Sequence, residues 1–244
     1  MIQQSFIFLK GIGIKGEKNL WKQGIADWTV FLERKKIKGI SEKRKEYYDA
    51  EIRKAKRALL ADNSVYFANI LQKKEHYRLW NYFKDSCLFL DIEGNRKKIT
   101  LIGLYDGYDV KTILGKFGVD KQQFFQYLSQ FKIIVTFNGN TYDLPALEHY
   151  FGEKILLPAI DLRHVCNKAG LKGSLKAIEK QAGIARKNKN EGVLAELNPE
   201  DYAYQCDYKA ERHIKRLVNY NEEDVVNLKF IAEYALKQMY QAKH

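Results

Sequence analysis

From about residue 86 onward the apolar positions fall first in runs and then at helical spacing. Cys87-Leu88-Phe89-Leu90 is a continuous apolar run that passes into the alternation Asp91-Ile92-Glu93 and stops at Gly94-Asn95. A run of that length bounded by a turn signal predicts a buried strand. KITLIGLYDG (98–107) predicts a second strand ending in a Tyr-Asp-Gly turn, and VKTIL (110–114) a third. The short connections imply antiparallel hairpins. Asp120 reads as the N-cap of a helix through DKQQFFQYLSQF (120–131). KIIVTFNGN (132–140) is β-branched and predicts a fully buried fourth strand, and ILLPAID (155–161) is the candidate fifth. The period then turns helical in LRHVCNKAG (162–170), in GSLKAIEKQAGI (173–184) and in a long stretch to Gln241. Three hairpin strands, a helix, a parallel strand and trailing helices predict an α/β layered fold over residues 86–244.

Residues 1–85 carry helical periodicity instead. Gly11-Ile12-Gly13 reads as a turn between two helices. The second of these, about Lys15 to Gln23, sets Leu20 and Trp21 toward a core and leaves Lys15, Lys18 and Lys22 to solvent. Ile37-Lys38-Gly39-Ile40-Ser41 reads as a second, degenerate turn of the same kind, with Ser41 capping the helix SEKRKEYYDAEIRKAKRALLADN that ends at Asp62-Asn63. Lys43, Arg44, Lys45, Arg53, Lys54, Lys56 and Arg57 crowd that helix, with Tyr47 and Tyr48 interleaved; a solvated helix laced with i,i+4 pairs is the alternative. A further helix, about Ser64 to Phe83, carries Tyr66, Phe67, Ile70, Leu71, Leu79 and Trp80 and is expected to pack on the following domain. No Pro-, Gly- or Ser-rich linker separates the parts, so a rigid junction is expected.

Charge sharpens this division. The net charge is +12, and residues 1–85 hold 19 Lys and Arg against 10 Asp and Glu, while the rest hold 23 against 20. A general lysine bias would spread evenly; a concentrated excess marks a surface for a phosphate backbone. The cysteines Cys87, Cys166 and Cys206 show no C-x-x-C spacing, which excludes a zinc site or a disulfide framework and fits reduced packing thiols in a cytoplasmic protein. No apolar run approaches the roughly 20 residues a membrane span needs. The N-terminus lacks the basic start and small-residue cleavage site of a signal peptide.

Three stretches carry candidate chemistry. Strand alternation puts Asp91 and Glu93 on one face, where two carboxylates repel unless a cation sits between them; oxygen ligands suit Mg2+ or Mn2+. The other reading is a strand end with two solvated acids. In FNGNTYDLPAL (137–147) Asp143 lies just past a central strand, where open α/β sheets bind ligands. With Pro145 fitting a first helical turn, Asp143 as N-cap stands as the equal alternative. In NYNEEDVVNLKFIAEYAL (219–236) Tyr220 and Asp224 are four apart, beside the stripe Val225, Leu228 and Ile231. Asp224 would face inward, where a carboxylate needs a partner or a metal, and the phenol one turn away could hold a water against it. Glu222, Glu223 and His213 read as solvent-facing. In the basic module, backbone N–H groups at Gly11 and Gly13 could cradle a phosphate ahead of Lys15, Lys18 and Lys22; a plain turn is the alternative.

D-I-E, then F-N-G-N-T-Y-D-L-P, then Y-x-x-x-D, in that order, resembles the DEDD superfamily of 3′–5′ exonucleases, and the tyrosine the DEDDy branch. The second motif is similar to that of family B polymerase proofreading domains. Residues 86–240, with LKGSLKAIEKQAGI before the last motif, are similar to the stand-alone RNase H-like exonuclease family of bacteria and archaea. Residues 4–25 resemble a helix-hairpin-helix motif, which grips DNA backbone. The resemblance implies an RNase H-like mixed sheet flanked by helices, preceded by a small all-α basic module, and two ions held by Asp91, Glu93 and Asp224, with Asp91 bridging and Asp143 completing the set through water. Tyr220 would orient the attacking water, and Asn138, Tyr142 and the backbone at Ile92 would meet the terminal nucleotide. Gly94 stands where a hydroxyl residue is common, and Tyr142 where phenylalanine is usual. The activity implied is metal-dependent 3′–5′ exonuclease on single-stranded DNA or DNA 3′ ends, with RNA as an alternative substrate, in the cytoplasm or at the nucleoid. A non-catalytic nucleic-acid-binding protein on the same fold, an RNase and a structure-specific endonuclease are the alternative readings.

Overall fold

The computed structural model describes residues 1–94, 98–115, 118–186 and 208–241, with side chains of the last stretch from 211 onward; Asn95 and Cys206 lie outside them. The chain divides into two units, Met1–Lys84 with Leu156–Pro158, and Asp85–Ile155 with Ala159–His244.

In the first unit, helix α1 spans Ile14–Lys22, α2 Trp28–Glu33, α3 Glu42–Leu60, α4 Ser64–Ile70 and α5 Trp80–Phe83. Side-chain caps start three of them. Asp27 Oδ1 accepts from Thr29 and Val30, Ser41 Oγ from Arg44, and Asn63 Oδ1 from Tyr66. Each such cap is worth about 1 kcal/mol. Phe6, Leu9, Leu20, Trp28, Phe31, Tyr48 and Ile52 form the core.

The sequence expectation fails at two places here. Ahead of the Gly11-Ile12-Gly13 turn there is no α-helix, only a 3-10 turn at Ile2–Gln4 followed by hydrogen-bonded turns. Glu17 Oε1 takes the Phe6 N–H at 2.8 Å and the Ser5 hydroxyl at 3.0 Å, while Trp28 Nε1 donates to the Ser5 carbonyl at 2.7 Å. Side chains thereby satisfy the backbone groups that a helix would otherwise pair. The single helix expected over 64–83 is broken into α4, a 3-10 helix at Lys73–Leu79, and α5. Buried Glu75 and Arg78 pair across one 3-10 turn at 2.7 Å, and Arg78 reaches Glu17 at 2.9 Å. Side chains three apart eclipse in a 3-10 helix, which suits this pair. On α3, Lys45 is buried rather than solvated: its ammonium binds Asp49 at 2.6 Å and lies 4.9 Å from the Phe31 ring centroid.

The second unit is a five-stranded mixed sheet flanked by helices, an α/β fold of the RNase H-like kind. Strands β1 (Cys87–Gly94), β2 (Ile99–Tyr105), β3 (Val110–Leu114), β4 (Ile133–Thr136) and β5 (Ala159–Asp161) lie in the order β3-β2-β1-β4-β5. β1–β2 and β2–β3 are antiparallel; β1–β4 and β4–β5 are parallel. β5 is shorter than expected because Pro158 has no N–H to give a ladder. β4 pairs only with Cys87, Leu88 and Phe89, so β1 from Leu90 onward runs past β4 on that edge while staying paired with β2. This is where the sheet opens at the carboxyl ends of its parallel strands.

Four further helices are α6 (Lys121–Leu128, capped by Asp120), α7 (Asp143–Phe151), α8 (Leu162–Lys168) and α9 (Leu175–Gln181), and the last is α10 (Tyr208–Gln241). α10 packs on β1, β2, β3 and α8, and its Leu217, Val225, Leu228, Ile231, Ala235, Leu236 and Met239 are buried at helical spacing. Full burial of each leucine or isoleucine contributes about 1.5–3 kcal/mol. No helix among the described residues is long and apolar enough to cross a membrane.

Candidate metal centre

The site is built on the free end of β1. Asp91 and Glu93 share one face and Ile92 is buried between them. The buried stripe of α10 continues toward its N-terminus through Asp224 and Asn221, which brings both over that face. One carboxylate oxygen from each of Asp91, Glu93 and Asp224 lies within 4.8 Å of the others.

Asp143 arrives from the β4–α7 turn. The turn is tight: Asn138 has φ 66°, and a Cβ on Gly139 would come within 2.5 Å of Thr136. Tyr142 occupies the N-cap position without a side-chain cap, and Asp143 is the first residue of the helix. The residue is 4% exposed, and its carboxylate accepts the Ile92 N–H at 3.2 Å. Asp143 thus spans from the helix start to the strand that carries the acidic pair, and does not cap its own helix.

All four carboxyls are pushed above their usual range. Burial is the main cause for Asp91, reinforced by the charges of Asp143, Asp224 and Glu93. Burial, then Asp224 and Asp143, lifts Glu93 to about 7. Burial lifts Asp143 to about 6 against the bond from Ile92, and Asp224 to about 6 against the pull of Arg186. Crowded, desolvated carboxylates of this kind favour either protons or a cation. The donor set is oxygen only, which fits Mg2+ or Mn2+ and disfavours thiolate-seeking metals.

Tyr220 lies one turn before Asp224 and is half-buried. Arg186 Cζ stands 5.2 Å and Lys176 Nζ 5.1 Å from its ring centroid. Burial and the Asp224 charge raise its hydroxyl above the usual range, so it stays a neutral donor. Asn138 donates its N–H to Asp161 at 2.8 Å, and its side-chain oxygen accepts from Arg163 at 3.1 Å. Tyr142 is exposed, and its hydroxyl donates to the Gly94 carbonyl at 2.6 Å. Gly94 has a local reason to be glycine: a bulge at Glu93/Gly94 gives it φ 122°, and a Cβ there would lie 2.4 Å from the Lys98 carbonyl.

Several neighbours escaped sequence reasoning. Asn221 Nδ2 donates to Asp91 Oδ2 at 2.8 Å. A Cβ on Gly103 of β2 would sit 1.8 Å from Asn221 Oδ1, so only glycine leaves room for it. The signal for Asn221 was present: a polar residue four before Val225 and seven before Leu228 interrupts an apolar stripe. Arg186, Glu179 and Asn227 form a hydrogen-bonded set against Asp224. Glu179 lies in the helical stretch 173–184 and Arg186 just past it, and neither carried a chemical signal of its own. Glu222, expected to face solvent, accepts from Thr112 Oγ1 of β3 at 3.2 Å.

In the first unit Gly11 has φ 84° and Gly13 is the N-cap of α1, with no side-chain cap. Lys15, Lys18 and Lys22 are exposed along one side of α1, and Glu17 and Leu20 are buried on the other.

A family model described as RNase H superfamily matches residues 88–236. No curated protein and no solved structure matches the chain.

Proposed function

The chain belongs to the RNase H superfamily, and on that premise we propose that it is a metal-dependent 3′–5′ exonuclease of single-stranded nucleic acid, with DNA the favoured substrate. The observation that carries this reading is the convergence of Asp91, Glu93 and Asp224 within 4.8 Å at the open end of β1, with Tyr220 one helical turn from Asp224. Asp91, Glu93 and Asp224 would hold divalent ions directly, and Asp143, anchored to Ile92 N–H, completes the acidic set. Ions so placed supply charge stabilisation for the attacking and leaving oxygens of a phosphodiester.

The chain's own groups do the rest. Asn221 fixes the rotamer of Asp91, so one carboxylate oxygen is aimed while the other is tied. The Tyr220 hydroxyl, kept protonated, donates a hydrogen bond that orients the attacking water, and Asp224 lies within one turn to receive it. The exposed Tyr142 ring offers a stacking surface for a terminal base, and its hydroxyl, bonded to Gly94, fixes the ring's attitude. Asn138 and the strand backbone at Ile92 line the approach of the terminal nucleotide. Products are nucleoside 5′-monophosphates.

Residues 1–85 take the role of a nucleic-acid-backbone module and 86–244 that of the nuclease. The uncapped N–H groups at Gly13 and the row Lys15, Lys18, Lys22 support phosphate binding at α1. Only the turn and the helix after it carry the helix-hairpin-helix likeness. A cytoplasmic location goes with this activity.

The test is hydrolysis of DNA and RNA oligonucleotides by the full chain with Mg2+, Mn2+ or EDTA. Asp91→Ala abolishes turnover while the circular dichroism spectrum stays that of wild type; near-normal turnover in that variant would place the chemistry elsewhere.

A further inference from the structure

The acidic cluster contains a cation to which the exonuclease mechanism gives no task. Arg186 follows α9, and its side chain is 10% exposed. Its Nε donates to Glu179 Oε2 at 2.6 Å and its Nη2 to Glu179 Oε1 at 2.8 Å. The same Nη2 donates to Asp224 Oδ1. Glu179 is itself buried and held by Asn227 Nδ2 at 2.9 Å. Among the described residues, the buried Nη1 of Arg186 has no hydrogen-bond partner.

A bidentate fork through Nε and Nη2 fixes the guanidinium on Glu179, and the same Nη2 also reaches Asp224. That contact puts a positive charge on Asp224, one of the three carboxylates a divalent ion would need. A guanidinium and an ion at the same carboxylate repel each other. We propose that Arg186 is a positioning residue that holds Asp224 in the ion-free site and competes with the divalent ion for it. The cluster's affinity for the ion is then set by Arg186 as well as by its carboxylates. The inference rests on reading the cluster as a metal centre. Because Glu179 grips Arg186 by two bonds, the exchange at Asp224 is local: one carboxylate oxygen changes partner while the guanidinium keeps its anchor.

The experiment is calorimetric titration of the full chain with Mn2+, without nucleic acid, comparing wild type, Arg186→Gln, Arg186→Lys and the double variant Glu179→Gln/Arg186→Gln. The double variant replaces the ion pair by two amides, so a buried, unpartnered Glu179 cannot be the cause of any change. Circular dichroism checks the fold of each. Arg186→Gln and the double variant bind Mn2+ on the order of tenfold more tightly than wild type. Arg186→Lys, which keeps the charge, stays closer to wild type. Equal or weaker binding in both neutral variants overturns the proposal and makes Arg186 a structural support for Asp224. If wild type and every variant bind no Mn2+, the metal-centre reading falls and takes this inference with it; Mn2+ binding by wild type with no gain in the variants refutes the role of Arg186 alone.

Discussion

Replacing Glu93 by glutamine should raise the stability of the metal-free protein and abolish its chemistry at once. Glu93 is lifted from 4.5 to about 7, mainly by burial and then by Asp224 and Asp143. Each tenfold change in proton affinity is worth about 1.4 kcal/mol, so the ionised folded site carries a cost of about 3 kcal/mol at this residue. The folded-state value is above the unfolded one, so the native state binds the proton more tightly. The associated stability is fully present below about pH 4.5 and is lost as pH rises through about 7. Glutamine keeps the shape and cannot ionise. Urea unfolding in EDTA therefore finds wild type and Glu93→Gln alike near pH 4, with the variant more stable by up to about 3 kcal/mol at pH 8. Saturating Mg2+ reverses the order at pH 8, because the ion stabilises only the full carboxylate set. A gap that is constant with pH, or a wild type more stable than the variant in EDTA at pH 8, would refute the reasoning that these acids are crowded and desolvated.

Tyr220→Phe removes a hydroxyl that is proposed to orient water and is not itself among the proposed metal ligands; single-turnover cleavage falls about 100-fold with Mn2+ affinity unchanged. Changing Lys15, Lys18 and Lys22 together to Gln weakens single-strand binding and flattens the slope of log affinity against log salt by about 2, measured by fluorescence anisotropy, while cleavage of short oligonucleotides at saturation is kept. Gly103→Ala drives a methyl into Asn221 Oδ1, 1.8 Å from the new Cβ, so thermal unfolding shows a loss of about 1–3 kcal/mol, and Mn2+ titration shows weaker binding as Asp91 loses its tie.

The sheet was legible because its strands are near-continuous apolar runs, and the period-2 switch at Asp91-Ile92-Glu93 put two acids on one face before any contact was known. The four-residue spacing of Tyr220 and Asp224 likewise carried over to α10, since a helix fixes which positions share a face. Legibility failed where a distant side chain overrides local pattern. SFIFLK has the composition of a short helix, yet Glu17 and Trp28 hold its backbone in turns. The chain from Ser64 to Phe83 reads as one helix, yet Lys73–Leu79 folds as a 3-10 segment in which buried Arg78 pairs with Glu75 and with Glu17. Lys45 looks like one more solvated lysine until Asp49 and the Phe31 ring are folded around it. The Arg186–Glu179 pair is of the same kind: neither residue stands out in its own segment, and only folding α9 against α10 brings them to Asp224.

The most direct test of the exonuclease assignment is the polarity of cleavage. Single-stranded DNA labelled at the 5′ end in one sample and at the 3′ end in another is digested by the full chain with Mg2+, and Asp91→Ala and EDTA serve as controls. The predicted result is a ladder of progressively shorter 5′-labelled strands, immediate release of the 3′ label as a mononucleotide, and silence in both controls. Discrete internal fragments from both labels, release of the 5′ label first, or hydrolysis that survives Asp91→Ala would contradict it.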